Sequence, residues 1–316
     1  MRFAAIDIGT NSVLLLIAEP RGGELVPILE RATITRLGQG VDATRALAPE
    51  AVTRTLDCLA AYGEAMRAAG VSRVAAVGTS AMRDARGGDA FRAEAKARLG
   101  VEPRVVSGRE EAELTFEGAL SGLGLSGPVT VFDVGGGSTE IVTGDAASGL
   151  ARATSLDIGS VRLTERHVKS DPPTAAELEA VRADVRAALS SAGFPPSGAL
   201  VGVAGTVTTL AAYARDVFPY DASRVHGARM SRDEVVSAVG SLAAMRLEAR
   251  RGLRTVKPER ADVIVAGGVI VEEVLAWAAE ARPLGTPGVD SSVELVVSDR
   301  GVRWGLARRL AEGREV

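Results

Sequence analysis

Thr130-Val131-Phe132-Asp133-Val134-Gly135-Gly136-Gly137-Ser138-Thr139-Glu140-Ile141-Val142-Thr143-Gly144 decides how this chain is read. An apolar run ends in an aspartate, three glycines turn the chain, and a second apolar run leaves. Glycine permits positive φ and close backbone approach, so successive N–H groups can line a concavity for an anion. Ser138 and Thr139 add hydroxyl donors, and Asp133 and Glu140 add carboxylates suited to a metal ion or a water. The N-terminus repeats the design at a constant offset, with Asp7, Gly9 and Ser12 coinciding with Asp133, Gly135 and Ser138. Two strand–turn–strand phosphate loops, one opening each half, predict a duplicated fold. Candidate phosphate ligands are Gly9, Thr10, Asn11 and Ser12 in the first loop and Gly135, Gly136, Gly137, Ser138 and Thr139 in the second. Asp7, Asp133 and Glu140 are the candidate metal ligands.

Other glycine motifs fail on context. No Gly-x4-Gly-Lys-Ser/Thr occurs and the first lysine is Lys96, which excludes a P-loop NTPase. The central loop continues as a strand, whereas a dinucleotide fingerprint needs a third glycine opening a helix. The one Gly-x-Gly-x-x-Gly, at 122–127, precedes a strand instead of following one and reads as a linker coincidence.

A chain of 316 residues predicts two domains, each large enough for its own core. Hydrophobic content of 46% with 24% charged residues is ordinary globular composition. A net charge of −3 argues against a nucleic-acid partner. Cys58 is the only cysteine, which excludes a disulfide framework and indicates a reducing compartment. Asp7 interrupts the only apolar N-terminal run, so no signal peptide is expected. The run 13–18 is far short of the roughly 20 residues that span a bilayer. A cytoplasmic protein with no membrane partner is expected.

In chain order, 2–8 and 12–19 predict a hairpin around the first glycine turn, and Gly22-Gly23 turns into a third strand ending near Ile34. Pro49 opens a helix to about Ala69, with Val52, Leu56, Leu59, Gly63 and Met66 at helical spacing and Gly70 stopping it. Cys58 in that helix reads as a buried, inert thiol. A short buried strand at 74–77 leads into Gly78-Thr79-Ser80-Ala81-Met82-Arg83-Asp84, the kind of small-polar loop where α/β sheets place ligands. Arg83 is the candidate phosphate clamp, because guanidinium geometry suits phosphate; the alternative is an ion pair with Asp84. Ser107 caps a helix whose start carries Glu110, Glu111 and Glu113, a pattern that capping and the helix dipole already explain.

Beyond the central loop, a strand at 151–158 is followed by Gly159 and a helix whose N-terminus is anion-compatible. Arg162 there faces either phosphate or Glu165, and His167 reads as a helix-surface residue without a metal-ligand companion. Pro172-Pro173 break the chain before an amphipathic helix at 174–192. The strand 200–204 ends in Gly205-Thr206, which opens a helix; both are candidate substrate ligands. Residues 262–271 read as a strand and glycine turn at Gly267-Gly268, followed by a helix through 279. A loop at 285–288, a last strand at 292–298 and a terminal helix at 299–310 complete the chain.

The ordered set AIDIGTNS (5–12), GTSAMRDA (78–85), SGREEAELTFEGAL (107–120), VFDVGGGSTEIV (131–142) and GTVTTLAA (205–212) resembles the exopolyphosphatase/guanosine-pentaphosphate phosphohydrolase (Ppx/GppA) family over nearly the whole chain. That family belongs to the ASKHA group of sugar kinases, heat-shock chaperones and actin-like ATPases. The resemblance implies an α/β fold of two actin-like, ribonuclease H-like domains with a cleft between them. The expected domains are 1–124 with the terminal helix 299–316, and 125–298. It implies Glu111 as the catalytic base. Glu140 is the second candidate base, since it replaces Leu14 of the first copy and duplication does not explain its charge. The implied reaction is hydrolysis of the terminal phosphoanhydride of inorganic polyphosphate, with pppGpp to ppGpp as a further activity. Magnesium is the implied cofactor, a monovalent cation a further candidate, and a homodimer the implied assembly.

The glycine-rich stretch 118–128 is the expected hinge for closure on substrate, and Val225-His226-Gly227 matches a family element of unread role. The loop after Arg83 departs from the family, reading Asp84-Ala85-Arg86-Gly87-Gly88 where an asparagine is usual. The basic run of Arg246, Arg250, Arg251, Arg254, Lys257 and Arg260 is either a solvated helix face or a polyphosphate track. The end at residue 316 leaves no room for the extra C-terminal domains of longer relatives, which favours short polyphosphates or pppGpp. A sugar-kinase-like phosphotransferase and a non-catalytic polyphosphate or (p)ppGpp sensor are the rival classes.

Overall fold

The computed structural model describes residues 1–281 and 293–314. The chain divides into two compact units, Met1–Gly118 with Gly301–Val316, and Ala119–Arg300.

The first unit starts with β1 (Phe3–Ile8), β2 (Ser12–Arg21) and β3 (Glu24–Ile34), an antiparallel meander. Every residue of β1 is buried, as expected of a central strand covered on both faces. Pro27, which cannot donate to a ladder, is tolerated because β3 is an edge strand and the register shifts beside it, between Ile17 and Ala18. Next come α1 (Val41–Thr44), α2 (Pro49–Ala68), β4 (Arg73–Gly78), α3 (Ser80–Asp84), α4 (Gly88–Leu99), β5 (Arg104–Val105) and α5 (Gly108–Ala119). The sheet order is β3-β2-β1-β4-β5, with β4 parallel to β1 and β5 parallel to β4. α2 buries Leu56, Leu59, Tyr62 and Met66 against one face. Its Gly63 is needed because a Cβ there would lie 2.5 Å from the Arg98 carbonyl of α4. Cys58 is buried, and burial raises its thiol pKa.

The second unit contains β6 (Pro128–Val134), β7 (Thr139–Asp145), β8 (Gly149–Leu156), α6 (Ser160–His167), α7 (Ala175–Ser190), β9 (Ala199–Val203) and α8 (Ala204–Ala214). It continues through α9 (Ala222–Val225), β10 (Arg229–Ser231), α10 (Arg232–Ala244), α11 (Leu247–Arg251), α12 (Ile264–Glu280) and β11 (Glu294–Val297). The sheet order is β10-β11-β9-β6-β7-β8. The segment β8-β7-β6-β9-β11 repeats β3-β2-β1-β4-β5: an antiparallel meander followed by two parallel strands. Each unit is thus an actin-like domain, and the repeat seen in the two glycine loops is a repeat of whole sheets. The last helix, α13 (Val302–Glu312), returns to the first unit, where Val302, Leu306 and Leu310 pack with Phe3, Ala5 and Leu16. Gly305 and Gly118 permit this docking, since Cβ atoms would lie 2.0 Å from Leu114 O and 2.2 Å from Gly301 O respectively.

Three expectations change. Residues 264–271 are not a strand and turn but the first half of α12. A helix apolar on all sides carries no amphipathic period, so its sequence matches a buried strand equally well. Packing against α6, α7, α8 and α10 makes it a helix. Gly267 and Gly268 are packing residues, with Cβ positions 2.8 Å from Thr206 Cγ2 and 2.6 Å from Val239 Cγ2. The two buried acids of that helix, Glu272 and Glu273, are met by Arg182 at 3.1 Å and Arg186 at 2.8 Å. Gly118, expected in a flexible connection, instead lies inside α5 at the close approach to Gly301. The expected loop 285–288 and residue Ser292 lie outside the described residues, and the last strand starts at Glu294. Helices α4 and α10 have no counterpart among the expected elements. Among the described residues no helix is long and apolar enough to cross a membrane.

Candidate functional site

The two glycine loops close in the same way. Gly9 N–H donates to Ser12 O at 2.9 Å, and Gly135 N–H donates to Ser138 O at 3.0 Å. The flanking strands pair Asp7 with Leu14 and Asp133 with Glu140. Residues directly opposite in an antiparallel pair project from one face with Cβ atoms about 5 Å apart. Asp133 and Glu140 therefore form a carboxylate pair where the first copy has only Asp7.

In the first unit, Thr10 and Asn11 are buried within the loop. Thr35 and Arg36 N–H donate to Asn11 O (3.1 and 3.0 Å), and Gly38 N–H donates to Thr10 O (2.9 Å), so the segment after β3 holds the loop from behind. Thr10 Oγ1 meets Ser80 Oγ at 2.7 Å, which ties the loop to the turn after β4. The buried Asn11 Oδ1 makes no hydrogen bond among the described residues. On α3, Arg83 Nη1 lies 3.2 Å from Val106 O and 3.3 Å from Glu111 Oε2, and its Nε lies 3.5 Å from Asp84 Oδ1. Arg83 thus meets both Asp84 and Glu111.

The three acids at the start of α5 separate by environment. Glu110 pairs with Arg104 at 2.6 Å and Glu113 with Arg109 at 3.2 Å, both partly exposed, as capping and surface pairing predict. Glu111 is 7% exposed and faces Arg83. Burial of one acid in three is what capping alone does not explain.

In the second unit the loop is held by α6. Gly135 O accepts from Ser160 N–H (2.9 Å), Gly136 O from Val161 and Arg162 N–H (2.9 and 3.0 Å), and Gly137 O from Arg162 Nε (2.6 Å). The N-terminal N–H groups of α6, expected to suit an anion, are therefore bonded to loop carbonyls. Arg162 is buried, braces the loop through Gly137 O, and lies 3.7 Å from Asp157. With its carbonyls held on this side, the loop leaves the N–H groups of Gly136, Gly137 and Ser138 without a partner among the described residues. Such a run of N–H groups is an anion cradle. Gly159 is required, because a Cβ there would lie 2.4 Å from Gly136 O. Thr139 is fully buried and its hydroxyl donates to Ile158 O at 2.7 Å, which withdraws it from the phosphate donors. Glu140 is 1% exposed and accepts from Ser155 Oγ at 2.7 Å.

The turn after β9 lies beside this loop at the carboxyl edge of the sheet, since Val203 pairs with Asp133 in the parallel ladder. Ala204 adopts φ 71, a left-handed conformation that strains a residue with a Cβ. Thr206 is buried against Gly267. Arg260 donates to Gly205 O and, at 3.0 Å, to Thr209 Oγ1. A Cβ on Gly205 would overlap that guanidinium. Burial lowers the pKa of Arg260 to about 10.

Sequence reasoning missed Arg260 as a site neighbour; its signal was only membership of the basic run. The run itself disperses. Arg250 is 3% exposed and donates to Leu242 O, Arg251 pairs with Glu248, Arg254 with Asp216, and Arg260 turns to Gly205. His167 pairs with Asp184 at 2.8 Å, a hydrogen bond that holds the aspartate below the usual carboxylate range.

Among the described residues no three His, Cys, Asp or Glu side chains gather into a preformed metal cage. The Asp133–Glu140 pair offers hard oxygen donors from one face while leaving most of a coordination sphere to water and phosphate, the arrangement magnesium favours.

A family profile described as the Ppx/GppA phosphatase family matches residues 16–281. Exopolyphosphatase 2 of Mycobacterium tuberculosis is 42% identical over 98% of this chain and 98% of its own length. A guanosine-5'-triphosphate,3'-diphosphate pyrophosphatase of Vibrio atlanticus is 35% identical over 66% of this chain and 42% of its own. The crystal structure of the Aquifex aeolicus member of the Ppx/GppA protein family superposes with a TM-score of 0.81 at 34% identity, covering 100% of this chain and 99% of that one.

Proposed function

Because the chain belongs to the Ppx/GppA phosphatase family, we propose that it is a phosphoanhydride hydrolase that releases orthophosphate from the end of inorganic polyphosphate, with the 5'-terminal phosphate of pppGpp as a second substrate. The observation that carries this reading is the loop at 135–138, whose carbonyls are engaged by α6 while three consecutive N–H groups remain for an anion. Gly9, Thr10, Asn11 and Ser12 form the equivalent loop in the first unit, closed by the same Gly9 N–H to Ser12 O bond.

Glu111 is the general base: its carboxylate takes a proton from water as the water oxygen attacks the terminal phosphorus, and the bridging P–O bond breaks to release the shortened chain. Arg83, already within 3.3 Å of Glu111, neutralises charge on the transferred phosphoryl oxygens and keeps the base oriented. Backbone N–H groups supply fixed dipoles that need no reorganisation during the reaction. Asp133 and Glu140 would hold a magnesium ion, which when bound would offset phosphate charge. Glu140 serves better as a ligand than as the base, since it is 1% exposed and bonded to Ser155. We place the protein in the cytoplasm, where both substrates reside.

A phosphate-release assay comparing polyphosphates of several lengths with pppGpp tests the proposal. Orthophosphate release without an acceptor is expected. Transfer only when a sugar acceptor is present would establish a kinase, and binding without turnover would establish a sensor; either result ends the hydrolase reading.

A further inference from the structure

The chain has two tryptophans, three tyrosines and six phenylalanines, and all but two of these side chains are buried or half-buried. Phe218 and Tyr220, 54% and 53% exposed, lie two residues apart in the segment between α8 and α9. Leaving two large rings in water, two residues apart, forgoes burial that every other aromatic in the protein obtains, and such exposure marks a binding surface.

A guanidinium joins the aromatic patch. The guanidinium of Arg254 lies over the Phe218 ring, 5.9 Å from its centroid, and is itself held by Asp216. Arg260 reaches back to Gly205 O and Thr209 Oγ1, at the turn after β9. That turn follows Val203, which pairs with Asp133 immediately before the 135–138 loop. The segment 254–260 thus runs from the Phe218 ring to the turn beside the phosphate loop, all within the second unit.

We propose that Tyr220 and Phe218 form a stacking platform for the nucleobase of a nucleoside polyphosphate whose terminal phosphates occupy the 135–138 loop. The proposal rests on the phosphatase reading given above and names the substrate class within it. A purine has a π-face to lay against an aromatic ring and an adjacent guanidinium, and this contact is independent of the phosphates. Inorganic polyphosphate has no ring and gains nothing from the platform. The same loop would then bind both substrates while only the nucleotide engages Tyr220 and Phe218, so the platform sets the preference between them.

The test is equilibrium titration of the intact chain carrying Glu111→Gln, to suppress turnover, with pppGpp and separately with tripolyphosphate, magnesium being present. The comparison is with Tyr220→Ala, with the double variant Phe218→Ala/Tyr220→Ala, and with Tyr220→Trp. Both rings are exposed, so the substitutions leave the core intact. The double variant is expected to lose pppGpp affinity roughly tenfold or more, the loss typical of one base–aromatic stack. Tripolyphosphate affinity is expected to stay unchanged, and Tyr220→Trp to retain nucleotide binding. Parallel loss for both ligands, no loss for either, or an altered oligomeric state with unaltered binding would overturn the platform; the last would show that a second copy of the chain covers it. The two readings fail separately. A wild-type enzyme that hydrolyses polyphosphate but binds pppGpp no tighter than tripolyphosphate ends the platform alone. One that binds pppGpp through these rings without hydrolysing either compound ends the phosphatase reading alone.

Discussion

Replacing Gly159 by alanine should damage the phosphate loop while leaving every candidate ligand in place. Gly159 has φ −148 and ψ 160, which alanine adopts without strain, so the effect is purely one of space. The new Cβ would lie 2.4 Å from Gly136 O, 2.5 Å from Gly136 C and 2.6 Å from Gly137 C, against an ordinary contact of 3.4 Å or more. All three are backbone atoms and none can rotate away. Either the loop or the start of α6 must therefore retreat by about 1 Å. That retreat stretches the bonds from Val161 and Arg162 N–H to Gly136 O, now 2.9 and 3.0 Å. Overpacking of this kind costs about 1–3 kcal/mol of stability, and misplacing a positioning group by about 1 Å costs roughly 10²-fold in rate. The assay is kcat/KM for phosphate release from polyphosphate together with a thermal melt. Gly240→Ala is the matched control. That glycine lies inside α10 with nothing within 4 Å of the new methyl, so the change should leave activity alone and stabilise by about 0.5–1 kcal/mol. A Gly159→Ala enzyme with wild-type kcat/KM and melting temperature would refute the claim that α6 holds the loop in a required position.

Glu111→Gln should lower kcat by about 10²- to 10⁴-fold with tripolyphosphate affinity retained; full turnover in the purified variant would remove Glu111 and promote Glu140. Exhaustive chelation should abolish phosphate release and added magnesium restore it, whereas activity surviving chelation would remove Asp133 and Glu140 as metal ligands. Glu177 accepts from Thr174, Lys169 and Ser170 N–H at the start of α7, and these bonds lower its pKa from 4.5 to about 2. A carboxylate with a depressed folded-state pKa contributes stability that is present above the unfolded value and lost as pH falls through the folded value. Thermal melts should therefore drop between about pH 4.5 and pH 2, and Glu177→Gln should be flatter across that window; identical pH profiles would refute this linkage.

Much of the second unit's chemistry was legible because it is local. An apolar run, an aspartate, a glycine turn and a second apolar run are enough to specify a hairpin with a backbone anion site, and the echo around Asp7 was enough to predict that the fold is duplicated. Those inferences need only alternation, glycine conformations and neighbours a few residues apart. What sequence left open depends on partners far along the chain. Three acids open α5, and only the position of Arg83 and the burial of Glu111 separate one from the others. Thr139 reads as a phosphate donor until Ile158 O is found to occupy its hydroxyl, and nothing in the sequence signals that Arg162 braces the loop through Gly137 O. Arg260 was one cation in a run of six, and packing alone turns it onto Gly205. The first half of α12 went unrecognised for a related reason. A segment surrounded by protein on every side has no polar face, so its periodicity vanishes and its backbone conformation is chosen by the helices that enclose it. Local backbone preference is written in adjacent residues; which hydroxyl, guanidinium or carboxylate remains available for substrate is set by distant groups that compete for the same hydrogen bonds.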